Sequence, residues 1–258
     1  MRRLTTIIAA ALAVCLAAGV AQAAEKVKIG TEGAYPPFNY IDKDGNLVGF
    51  DVDIAKALCE AAKFECEFVV QDWDGIIPGL IAKKYDAIVA SMSITEERKQ
   101  KVDFTSKYYN TPAKFVAPKG ANLEITKEGL KGKVIAVQRA TIHENFLRDN
   151  FGDVVTVSSY ATQDEAYLDL VSGRADAGIA DSVAITDGFL STPQGKGFQF
   201  YGPDFNDPKW FGEGVGIAVR KGEDALREKL NAAIEQIRRD GTYKRINAKY
   251  FDFDVYGK

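Results

Sequence analysis

Along the chain, short apolar runs alternate with polar stretches marked by glycine or proline, and the helical and strand periodicities take turns as in an α/β protein. Positions 27–31, 65–70 and 86–90 read as strands. Between them, 51–59 and the stretch through Leu80 read as helices, and Asp51 and Asp53 suit the start of the first. The later half runs through the same order. It has a strand at 134–138, a helix at 142–148, a strand at 154–157, a helix at 164–172, a strand ending in Asp181 and a helix to Leu190. A strand at 214–220 reads as the return crossover. An amphipathic helix follows over 223–240, stopped by Gly241, and then a last short helix over 243–250.

The two halves also share residues. Positions 80–91 align without gaps to 170–181, matching Leu80 with Leu170, Lys84 with Arg174, Asp86-Ala87 with Asp176-Ala177, and Ser91 with Asp181. A looser pairing joins 26–32 to 133–139. Two similar α/β units, each with polar residues at a strand end, imply two lobes facing across a cleft and joined by two crossover strands. The expected first lobe is discontinuous (24–109 with 214–258), the second is 113–205, and the hinges fall near 110–112 and 206–213.

Net charge and cysteine content narrow the setting. Met1-Arg2-Arg3, the apolar run from Ile7 to Val20 and Ala21-Gln22-Ala23 have the form of a secretory signal peptide over 1–23. The run is too short for a comfortable membrane span. Val14 ahead of Cys15 is a poor context for a lipid anchor. Loss of Arg2 and Arg3 with that leader moves the net charge from −3 to −5, which argues against nucleic acid or an anionic membrane as partner. Cys59 and Cys66 then sit in an exported chain, where a disulfide is expected. Two thiols and one histidine, His143, fall short of a metal ligand set, and no cofactor is expected.

The candidate chemistry lies at strand ends, where open α/β sheets bind ligands. The strand at 86–90 opens into Ser91, Ser93 and Thr95 and then Arg98, whose guanidinium can fork onto a carboxylate. Asp181 holds the symmetric strand end. A fixed cation and a fixed anion one amino-acid head apart would clamp a zwitterion. Glu32 and Tyr35 lie in a loop made by Gly33, Pro36 and Pro37, and Trp73 follows the second strand. An aromatic pair there suits a guanidinium or a methylene chain. Thr141 precedes a helix whose first N–H groups could hold an anion. Each feature has a plainer reading: Arg98 solvated behind a Thr95 cap, Trp73 in the core, Glu32 as a loop carboxylate. His143 reads as a surface helix residue.

Three motifs carry a resemblance: Gly49-Phe50-Asp51-Val52-Asp53-Ile54, the stretch from Ser91 to Arg98 with the cysteine pair, and Asp240-Gly241-Thr242-Tyr243 followed by Lys249-Tyr250-Phe251. With them the chain resembles the periplasmic amino-acid-binding proteins of polar amino-acid ABC importers, most closely the lysine/arginine/ornithine- and histidine-binding type. The resemblance implies a two-lobed periplasmic-binding-protein fold of type II. It also implies a monomer that captures a basic amino acid by lobe closure and delivers it to membrane permease subunits, with no catalysis. Arg98 and Thr141 would take the ligand α-carboxylate, Asp181 the α-ammonium, and Ser91 and Ser93 further hydrogen bonds. Tyr35 and Trp73 would sandwich the side chain, and Glu32 would pair with its distal cation. Ala90, Ala140 and Ile142 depart from the more polar pattern of that type and leave room for a larger derivative such as an opine. A cyclohexadienyl dehydratase-like enzyme, with Glu32 as acid, is the rival of another class, and a membrane sensor is a further possible destination.

Overall fold

The structure is a computed structural model in which residues 24–257 are described, so the signal-peptide expectation over 1–23 lies outside the described residues. The chain opens with β1 (Glu25–Thr31), a small antiparallel flap of β2 (Ala34–Tyr35), β3 (Asn39–Ile41) and β4 (Leu47–Val48), then α1 (Phe50–Ala62) and β5 (Phe64–Val70). A 3₁₀ turn over Trp73–Gly75 leads into α2 (Ile76–Ile81), β6 (Ala87–Ile88), α3 (Glu96–Lys99) and β7 (Val102–Tyr109). The next elements are β8 (Ala113–Pro118), β9 (Val134–Gln138), α4 (Ile142–Phe151), β10 (Thr156–Tyr160), α5 (Gln163–Val171), β11 (Ala177–Asp181) and α6 (Ser182–Ile185). The chain then runs through β12 (Phe198–Phe205), α7 (Pro208–Phe211), β13 (Val215–Arg220), α8 (Asp224–Arg239) and α9 (Thr242–Tyr250).

Two five-stranded sheets result, in the orders β5-β1-β6-β13-β7 and β10-β9-β11-β8-β12. In each, the first three strands are parallel and the fourth is antiparallel to the third. The aligned segments 80–91 and 170–181 therefore occupy equivalent places, with β6 and β11 as the central strands. Strand β1 meets β5 from Glu25 opposite Phe64 to Thr31 opposite Val70. The central strands β6, β11 and β13 are nearly continuous runs of buried apolar residues, as in sheets covered on both faces, whereas the edge strands β5, β10 and β12 are partly exposed. One core joins Ile29, Phe50, Ile54, Leu58, Ile217 and Ile234, another Phe115, Ile135, Leu147 and Ile179.

Local signals explain the helix starts. α1 begins after Gly49, which has φ 125° and lies so close to the Phe38 carbonyl that a Cβ would stand 2.3 Å from that oxygen. Asp51 and Asp53 fill its first turn, as expected at the positive end of the helix dipole. α5 opens with a capping box between Thr162 and Glu165. Cys59, near the end of α1, is bonded to Cys66 in β5 across 6.2 Å between Cα atoms.

Some expectations move. The strand expected at 154–157 lies at Thr156–Tyr160, because the amides of Val154 and Val155 both donate to the Phe151 carbonyl in the turn that ends α4. The helix expected to run to Leu190 is α6 continued by a wider π turn over Thr186–Leu190. β13 lies wholly within the first sheet, and the return passage before it carries the helical turn α7.

Candidate functional site

The carboxyl ends of β1, β5 and β6 face those of β9 and β11 across a cavity of about 320 Å³ of non-atom space. Glu32, Tyr35, Trp73, Ser91, Ser93, Arg98, Thr141 and Asp181 all line it, and so do Ala90, Gln138, Ile142 and His143. Eight residues scattered over 150 positions of sequence are thus gathered around one space, six presented by the first sheet and two by the second.

The charged pair has an unusual environment. Arg98, in α3, is 9 % exposed, and Asp181, the last residue of β11, is 8 % exposed. Thr95 caps α3 by accepting the Arg98 amide, and the Arg98 guanidinium donates to the Ser93 carbonyl at 3.0 Å. The same guanidinium lies over the Trp73 ring, 5.2 Å from its centroid. Burial pulls its pKa down to about 10, so it stays charged at neutral pH. Asp181 accepts from the Tyr35 hydroxyl at 2.8 Å and from the Thr111 hydroxyl at 2.7 Å. Neither charge has an oppositely charged protein group within 4.0 Å among the described residues. A buried charge without a counter-ion is costly, so both sites favour a group that brings the missing sign.

The surroundings of Glu32 are acidic. Glu32, only 6 % exposed, accepts from the Gln138 side-chain amide at 2.6 Å. Burial pushes its pKa up to about 7 against the pull of that hydrogen bond, and Asp164, Asp72 and Asp74 raise it further. A cation placed here would relieve both the desolvation and the repulsion.

The hydroxyls and aromatics are held from behind. Ser91 has φ 54°, in the left-handed region, and its hydroxyl is bonded to the Tyr109 hydroxyl. Behind it, buried Asp51 accepts from the Tyr108 hydroxyl at 2.7 Å and from Asn39 at 2.9 Å. Asn39 in turn accepts the Gly33 amide at 2.9 Å, next to Glu32. Thr141 caps α4, accepting the Glu144 amide at 3.2 Å and donating to the Gln138 carbonyl at 2.7 Å. The lobes meet over the cavity: Trp73 Nε1 donates to the Ala140 carbonyl at 3.0 Å, and Arg139 pairs with Asp74 at 2.6 Å.

Several of these contacts were not legible in the residues alone. His143 is a correction: far from being a surface residue, it is 4 % exposed and lines the cavity. Trp73 touches Arg98 as well as facing the cavity, and Tyr35 is engaged by Asp181. Thr111 and Gln138 were also missed. For Gln138 a signal was present, since the loose alignment of 26–32 with 133–139 sets it opposite Thr31 at the end of the equivalent strand. Among the described residues, no group of three or more His, Cys, Asp and Glu could hold a metal ion, and no helix is long and apolar enough to cross a membrane.

Comparison with known proteins agrees with this geometry. The family model of the bacterial extracellular solute-binding proteins, family 3, matches residues 27–253. An L-arginine-binding protein of Pseudomonas aeruginosa is 52 % identical over 258 residues, 100 % of this chain and 99 % of that protein. A histidine-binding periplasmic protein of Escherichia coli K12 is 44 % identical over 234 residues, 90 % of each chain. An ancestral arginine-binding protein solved bound to arginine superposes with a TM-score of 0.82 at 38 % identity, over 88 % of this chain and 98 % of that one.

Proposed function

Since the chain belongs to the bacterial extracellular solute-binding proteins of family 3, we propose that it captures a basic L-amino acid (arginine, ornithine or lysine, and after them histidine) in the periplasm and hands it to the permease subunits of an ABC importer. The observation that carries this is the buried, mutually unpaired Arg98 and Asp181 lining one cavity together with buried Glu32. A zwitterion with a cationic side chain supplies the counter-charge each of the three lacks. Arg98, with Thr141 at the start of α4, takes the α-carboxylate. Asp181 takes the α-ammonium, and Ser91 and Ser93 add hydrogen bonds. Tyr35 and Trp73 flank the side chain, and Glu32 meets its distal cation.

Lobe closure follows from the same assignment. With lobes at 24–109 plus 214–258 and at 113–205, hinged near 110–112 and 206–213, a ligand that touches Arg98 and Asp181 together binds the closed form better than the open one and shifts the population toward it. Arginine has about a dozen non-hydrogen atoms, and roughly 0.7 kcal/mol from each gives about 8 kcal/mol, a micromolar affinity. The periplasmic relatives and the leader-like first 23 residues support the location, and the binding-protein relatives support a carrier without catalysis. The protein is taken to act as a monomer.

The Glu32→Gln variant tests the assignment. Titrated calorimetrically beside the wild type, it should lose about 30-fold in affinity for arginine, equivalent to about 2 kcal/mol for a charged hydrogen bond. Its affinity for glutamine should change little. Equal arginine affinity in the two proteins would remove Glu32 from the site. One observation fits a second reading: a carboxyl with pKa about 7 is suited to general-acid work. Prephenate turnover by the wild type, lost in Glu32→Gln, would establish a dehydratase instead.

A further inference from the structure

We propose that His143 is part of the binding site, donating a hydrogen bond from Nε2–H to the α-carboxylate of the bound amino acid. The proposal rests on the amino-acid-binding reading above and adds a contact to it. His143 is the second residue of α4, lines the cavity with Arg98 and Asp181, and is 4 % exposed. Its Nε2 atom is buried and has no hydrogen-bond partner among the described residues. Buried polar atoms of this kind are nearly always paired, and of the five orphaned side-chain atoms among the described residues this one alone is on a residue that lines the cavity, which leaves it available for a bond to the ligand. The ring is held by Phe211, 6.0 Å away between centroids and tilted 47°, so the bond need not be bought with a mobile side chain.

The surroundings choose the ligand group. The start of α4 presents backbone N–H groups and the positive end of the helix dipole, and Arg98 adds its guanidinium, so the anionic end of a zwitterion belongs there. The titratable groups facing the imidazole are Asp181, which favours its protonation, and Arg98, which opposes it; with burial the balance holds the ring neutral at neutral pH. A neutral imidazole has one N–H, and a carboxylate requires that proton to sit on Nε2. A further neutral donor there adds directionality without a second buried cation.

His143 is the single histidine of the chain, so its ring can be followed without assignment. The experiment is nitrogen-15 NMR of the imidazole in ligand-stripped wild type, before and after saturation with arginine, beside calorimetric titration of His143→Phe and His143→Gln. Saturation should shift the ring nitrogens and leave the ring in the Nε2–H tautomer. His143→Phe, which keeps the ring packing, should bind at least tenfold more weakly, and His143→Gln, whose amide can donate from nearly the same place, should recover part of the loss. Ring signals that do not move on saturation, a bound Nδ1–H tautomer, or a folded His143→Phe that binds as wild type would each overturn the proposal. If His143→Phe fails to fold, the wild-type ring signals decide alone. Absence of binding by the wild type toward any amino acid would remove the underlying reading, and this contact with it; that result is read from the wild-type titration before any variant is compared.

Discussion

Glu32 accepts from Gln138 in a buried setting that neighbouring aspartates make still more negative. As a letter between a strand and a Gly-Ala-Tyr-Pro-Pro loop it could be a solvated carboxylate; its meaning comes from Gln138, Asp164, Asp72 and Asp74, brought around it by the fold. Its folded pKa of about 7 lies above the ordinary 4.5, so the folded form holds the proton more tightly than the unfolded chain. That contribution to stability is fully present below pH 4.5 and is lost as the pH rises through about 7. Thermal unfolding of ligand-free wild type and Glu32→Gln should therefore converge at pH 4 and separate by pH 8. The wild type should be the weaker there, by up to about 3 kcal/mol. Parallel curves would contradict the buried carboxyl. The remaining residues divide by the reach of their signals. Arg98 and Asp181 were legible because the internal repeat sets them near equivalent strand ends. His143 and Thr111 were not, because a lone histidine on a helix and a threonine in a connector carry no periodic signal, and only tertiary packing buries them.

At the scale of elements, the loops that carry the site hang on buried Asp51. Its carboxylate joins β3 through Asn39, β7 through Tyr108 and, by way of Asn39, the Gly33 amide beside Glu32. Aspartates at a helix start are common enough that the sequence offered only a dipole role for this one; its position inside the first lobe makes it a hub. In Asp51→Asn, the new amide donor must face one of two existing donors. The expected cost is about 2 kcal/mol, a fall of roughly 4–8 °C in the unfolding midpoint for a chain of this size. An unchanged midpoint would mean that the hub relaxes freely. The Cys59–Cys66 bond closes a short loop between α1 and β5 away from the cavity. Replacing both cysteines by serine should remove about 2 kcal/mol of stability while leaving ligand affinity unaltered. Element boundaries were legible to within a few residues. The shift of β10 arose because Val154 and Val155 have strand-like side chains but spend their amides on the turn that ends α4.

For the whole molecule, the two sheet orders repeat the same pattern, and the likeness of 80–91 to 170–181 foretold it. What the repeat could not give is how the two halves meet. That rests on pairs with no sequence relation, such as Trp73 with the Ala140 carbonyl and Arg139 with Asp74. Trp73 belongs to this meeting surface, whereas the other tryptophan, Trp210, lies in α7 beside Phe146. Ligand should therefore change the fluorescence of the wild type and of Trp210→Phe alike, and Trp73→Phe should lose the change. The reverse pattern would place the moving surface elsewhere. The central claim is that a buried clamp for a zwitterion is joined to a carboxylate that reads a distal positive charge. Its most direct measurement compares arginine with citrulline, which has nearly the same shape without the charge, by calorimetric titration of the ligand-stripped protein. Arginine should bind at micromolar affinity or tighter and citrulline at least 30-fold more weakly; equal affinities, or no binding of arginine, would contradict the account.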